Sequence, residues 1–73
     1  MSRAMNVALG EDDVRTLCDK AGVAISVLET LPHGGTRLVC RLSEGADTMR
    51  GKLAKNLIDG DVKRFRFYRT YNY

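Results

Sequence analysis

Apolar residues along this chain alternate between two spacings. From Glu11 to Ala21, Val14, Leu17, Cys18 and Ala21 recur at i, i+3, i+4 and i+7, which gathers them on one face of a helix. Glu11, Asp12 and Asp13 complement the positive end of its dipole. Gly10 is the expected N-cap, with Leu9 and Val14 at the spacing of a hydrophobic staple, and Gly22 is the expected left-handed terminator. From Val23 to Leu31 the period becomes two: Val23, Ile25, Val27, Glu29 and Leu31 alternate with Ala24, Ser26, Leu28 and Thr30. Pro32, His33, Gly34 and Gly35 supply a turn, and Thr36 to Leu42 alternates again, so the two runs predict a hairpin. Ser43 to Gly60 returns to helical spacing, with Ala46, Met49, Leu53, Leu57 and Ile58 as its stripe. Ser43 or Gly45 is the expected N-cap and Gly60 the expected C-terminal stop. A last alternating run, Val62 to Tyr68, predicts a third strand with Phe65 and Phe67 on one side and Arg64, Arg66 and Tyr68 on the other.

The predicted order is α-β-β-α-β, an α/β (α+β) domain with a three-stranded mixed sheet and both helices on one face. A helical crossover sets the strand over 62–68 parallel to the strand over 36–42. It lies either beside the strand over 23–31, antiparallel to it, or beside the strand over 36–42. Val23, Ile25, Val27, Leu38, Cys40, Phe65 and Phe67 are then expected beneath the helices. The second face is expected to carry Ser26, Leu28, Thr30, Arg37, Val39, Arg41, Arg64, Arg66 and Tyr68, because alternate residues of a strand share a face. Residues 1–9 are read as a flexible leading segment, 10–70 as one domain, and 71–73 as a tail.

The 73 residues are 44% hydrophobic and 29% charged, too apolar for a disordered chain. A domain this small hides only about 60% of its unfolded surface, so its core is modest. The only apolar stretch near the start is Val7 to Leu9, shorter than the roughly 7–15 residues of a secretory signal or the about 20 of a membrane span. The expectation is a cytoplasmic protein with no membrane partner. Cys18 and Cys40 accord with that compartment and are expected as buried free thiols rather than a bridge.

Charge divides the chain unevenly. Residues 1–49 hold five basic and seven acidic side chains, a net charge of −2, whereas residues 50–73 hold seven and two, a net charge of +5. All five aromatic residues fall within 62–73, beside Lys63, Arg64, Arg66 and Arg69. Arg37, Arg41, Arg64 and Arg66 on one sheet face, flanked by Lys63, Arg69 and Tyr68, form the candidate anion site. Guanidinium groups grip phosphate or carboxylate in a bidentate way, and a tyrosine ring offers a stacking plane. The plainer reading is that a face without a covering layer must be polar, which long arginine stems accomplish well. Nucleic acid and an acidic protein surface are the expected partners. That acidic surface includes Glu11, Asp12, Asp13 and Asp19 of a second copy, and a homodimer through the sheet is the related alternative.

The RNP pattern of the RNA-recognition sheet is absent. No catalytic constellation emerges either. Gly45 to Leu53, GADTMRGKL, has one residue too many between its glycines for a phosphate-binding P-loop, and Leu53 stands where Ser or Thr would hold magnesium. The one histidine, His33, sits in a turn, and the two cysteines lack metal-ligand spacing. A binding module without enzyme activity, cofactor or metal is the expectation. The stretches GGTRLVCRL, GADTMRGKL and VKRFRFYR resemble short alphaproteobacterial proteins, a likeness spanning Gly34 to Arg69 that implies no particular activity.

Overall fold

The alternation of Thr36 to Cys40 builds the central strand. In the computed structural model, which describes residues 2–58, the sheet runs β1 (Ala4–Val7), β3 (Thr36–Cys40), β2 (Ile25–Thr30), with both pairings antiparallel. Helix α1 (Glu11–Ala21) joins β1 to β2, and α2 (Ser43–Lys52) follows β3, so the class is α+β. Thr36, Leu38 and Cys40 are completely buried. They share a core with Met5 and Val7 of β1, Val14 and Cys18 of α1, and Ala46, Met49 and Leu53 from α2 and its end. Buried Thr36 keeps its hydroxyl satisfied by donating to the Leu9 carbonyl at 2.7 Å.

Three expectations are corrected. The described sheet is antiparallel, and Ala4–Val7, read from sequence as part of a flexible leading segment, is its first strand. Four residues are too few to display a period. What defines β1 is its non-local pairing, Ala4 with Val39 through Val7 with Thr36, which buries Met5 and Val7. The expected strand over 62–68, the tail over 71–73 and the expected helix stop at Gly60 lie outside the described residues.

The second correction concerns β2. Its register against β3 shifts between Ile25 and Val27, so that Ile25 pairs with Cys40 whereas Val27 pairs with Val39 and Leu28 with Leu38. The extra residue is Ser26, and a bulge of this kind reverses which side chains face the core. Leu28, expected on the second face, packs against the core, and Val27, expected beneath the helices, is 41% exposed. Thr30 likewise turns toward α1, where its hydroxyl donates to the Glu11 carboxylate.

Helix α2 is the third. It ends at Lys52 rather than Gly60, and Leu42 rather than Ser43 or Gly45 occupies its N-cap. The chain then tightens into a 3₁₀ turn, Ala54–Asn56, and Leu57 makes an antiparallel bridge with Val7. The outward backbone groups of β1 account for this ending. The Ala8 N–H donates to Asn56 O at 2.6 Å and the Ile58 N–H to Asn6 O at 2.9 Å, bonds that a longer helix would forgo.

Helix α1 follows the sequence closely. Gly10 is its N-cap, and Gly22, at φ 69°, ends it. The Gly22 N–H reaches Asp19 O and the Val23 N–H reaches Cys18 O at 2.9 Å, the paired bonds of a Schellman ending. The hairpin loop is equally orderly. Gly34 N–H to Leu31 O at 3.2 Å and Leu31 N–H to Gly35 O at 2.9 Å enclose the three-residue loop Pro32-His33-Gly34.

Candidate nucleic-acid interface

Strand alternation and register assign the second sheet face, the side away from the core, two cross-strand rows. One is apolar: Ala4, Val39 and Val27. The other is polar: Asn6, Arg37 and Glu29. Within that row the Arg37 guanidinium lies 3.5 Å from the Glu29 carboxylate, and the two side chains are only 24% and 12% exposed. Arg37 is therefore a neutralised, half-buried group, not a free phosphate clamp.

Arg41 is placed differently. It follows the end of β3 and is exposed. Its backbone N–H donates to Ala24 O at 3.0 Å, and its carbonyl accepts a 3.0 Å bond from the guanidinium of Arg3. Arg3 is exposed as well, so two exposed arginines are joined through a main-chain carbonyl at one end of the sheet. Sequence reasoning missed Arg3 because it assigned residues 1–9 to a flexible segment. Its place depends on β1 pairing with β3, where Arg3 O accepts the Cys40 N–H at 3.0 Å. Lys63, Arg64, Arg66, Tyr68 and Arg69 lie outside the described residues.

Arg50 also departs from a simple solvent role. From α2 its guanidinium donates to the carbonyl of Ala4 at 3.2 Å and to that of Ser2, while lying 3.4 Å from Asp47. Together with residues 56–58 it closes the outer edge of β1. No described residue pairs with the outer edge of β2, the terminal strand on the other side.

The acidic cluster at the start of α1 serves the fold. Glu11 receives the Thr30 hydroxyl, and Arg15 lies 3.5 Å from Asp12. Among the described residues no three His, Cys, Asp or Glu side chains gather as a metal site would require, and no helix is long and apolar enough to cross a membrane. Cys18 and Cys40 are buried free thiols. Burial raises both thiol pKa values. The neighbouring Cys40 and then Asp19 add to the effect at Cys18, whereas the Arg50 charge opposes it at Cys40. Raised thiols are poor nucleophiles at neutral pH. A cleft of about 290 Å³ between the end of α1 and the start of α2 is lined by Val23, Ala24, Leu42, Gly45 and Thr48 among others. It lies at the lower limit of ligand-pocket sizes and brings no paired acid and base together.

Comparison with models of known protein families, with curated protein sequences and with solved structures gave no match.

Proposed function

We propose that this chain is a small binding module for nucleic acid, acting without catalysis in a cytoplasmic setting. The observation that carries the reading is that two exposed arginines, Arg3 and Arg41, share one end of the sheet, where the Arg3 guanidinium donates to the Arg41 carbonyl. Net positive charge in residues 50–73 extends the same tendency toward the end of the chain, where Lys63, Arg64, Arg66 and Arg69 stand beside Tyr68. In this reading both helices lie on one side of the sheet, Arg41 with Arg3 and the C-terminal basic residues contact phosphate, and Arg37 holds Glu29. A gel-shift series with single-stranded and duplex RNA and DNA tests it. Salt-sensitive binding of at least one of these supports the reading, and binding of none refutes it.

The terminal place of β2 in the described sheet favours a second reading, a protein-interaction module that adds a strand from an adaptor target or a second copy. Light scattering on the purified chain separates the homodimer from the monomer. A monomer that shifts nucleic acid favours the first reading.

A further inference from the structure

The cleft between the end of α1 and the start of α2 borders the arginine end of the sheet. Arg41 ties the two together: its backbone N–H donates to Ala24 O at 3.0 Å, Ala24 lines the cleft, and the next residue along the chain, Leu42, lines it too. Leu42 is 63% exposed, the more open of the two large apolar side chains left in water among the described residues, and it takes no part in the core cluster. Gly45 keeps the space clear from the helix side, since a Cβ on it would stand 3.0 Å from a Val23 methyl. The cleft, about 290 Å³, suits a flat ring system rather than a folded element of a partner.

Charge sorts what can enter. Glu44 is among the residues that line the cleft, so a phosphate inside it would meet a carboxylate, whereas a phosphate beside it meets the exposed Arg3 and Arg41. A ligand that fits both places is anionic along one edge and flat and apolar at the other. A nucleotide with an unpaired base has that form. Single strands present splayed bases that apolar side chains can cover, while a base in a duplex must first leave its stack and its partner. The polar groups of the cleft match the edge of a base: Glu44 accepts from an exocyclic amino group, and Thr48, whose hydroxyl donates to Glu44 O at 3.1 Å, keeps lone pairs for a further donor. We propose that, within the nucleic-acid reading on which this rests, the arginine end selects single strands by seating one unpaired base in the cleft against Leu42, Val23 and Ala24, while Arg3 and Arg41 hold the neighbouring phosphates. Leu42 is then covered by the ligand rather than by the chain.

Fluorescence anisotropy on the full chain with short labelled oligoadenylates tests it, using single-stranded RNA, single-stranded DNA, the same DNA paired with its complement, and the same DNA backbone carrying abasic spacers. At least one single strand is expected to bind about tenfold more tightly than the duplex and the abasic strand, although the duplex has the higher charge density. Leu42→Ser truncates the apolar wall without changing charge. It is expected to weaken single-strand binding about fivefold and to leave the abasic strand and the salt slope unaltered. Ala24→Gln obstructs the cleft at another exposed position and is expected to act in the same way, so the test survives misfolding of either variant, which circular dichroism would reveal. Equal affinity for single, duplex and abasic strands, or folded variants that bind like the parent, would overturn the base site while salt-dependent binding still upheld the nucleic-acid reading. Binding of no probe would overturn both.

Discussion

Gly35 lies directly against the end of β1: a Cβ placed on it would stand 2.6 Å from the Val7 carbonyl oxygen. Gly35 also has φ 87°, a backbone conformation that side chains resist. The hairpin loop, β1 and the residues after α2 therefore meet at one glycine, since Ile58 approaches the same point. Replacing it forces backbone, not a flexible side chain, to move. Gly35→Ala is expected to destabilise the fold by about 2–4 kcal/mol, combining left-handed strain with the clash. Gly34→Ala is the control, because Gly34 shares a positive φ of 100° but has open space around it. It should cost only about 1–2 kcal/mol. Urea midpoints for the two variants make the comparison.

The core prediction rests on Leu38, which is fully buried at the centre of β3 and pairs with both Met5 and Leu28. Leu38→Ala should cost about 2–5 kcal/mol, much or all of the stability of so small a domain. Loss of the cooperative thermal transition in circular dichroism is the expected outcome.

Arg50 contributes through the edge it closes. Arg50→Ala leaves the Ala4 and Ser2 carbonyls without their guanidinium donor and exposes that end of β1. The expected loss is about 1–2 kcal/mol, accompanied by concentration-dependent scattering as the freed edge seeks a partner. Arg50→Lys should recover part of the stability, because an ammonium reaches fewer acceptors than a guanidinium fork.

Stability should fall in alkali. Cys18 and Cys40 have folded pKa values above the ordinary thiol value of 9.0, chiefly because burial disfavours the thiolate. Below that value neither state gains by ionising, so the stability is intact. As pH rises from 9.0 toward the raised folded values, the unfolded chain releases its thiol protons first and stability declines. The urea midpoint of the parent should therefore drop more steeply above pH 9 than that of a Cys18→Ala/Cys40→Ala variant, and parallel curves would contradict this cause.

Much of this architecture was legible in local spacing. The face of α1 with Val14 and Cys18, its Gly10 and Gly22 boundaries, the hairpin turn, and Leu38 and Cys40 in the core follow from periods of 3.6 and two. The residues that escaped share a non-local cause. Ala4–Val7 becomes a strand because β3 pairs with it, and α2 stops at Lys52 because Asn6 and Ala8 offer backbone bonds to residues 56–58. The bulge at Ser26 is invisible to a two-residue period, since inserting one residue exchanges Val27 and Leu28 without altering composition. Part of the candidate site changed for the same reason. Glu29, which spacing assigned to neither face, sits across from Arg37 and neutralises it, while Arg3 reaches the Arg41 carbonyl through a strand that spacing alone did not reveal.

The most direct test of the central claim is the salt dependence of nucleic-acid affinity, measured by fluorescence anisotropy between about 50 and 200 mM salt, where each phosphate contact contributes close to one unit of logarithmic slope. We expect Arg3→Ala/Arg41→Ala to weaken binding and to reduce the slope by about one to two, and Arg37→Ala to leave the slope nearly unchanged. Absence of salt-dependent binding to any RNA or DNA, or a slope indifferent to Arg3 and Arg41, would contradict the account.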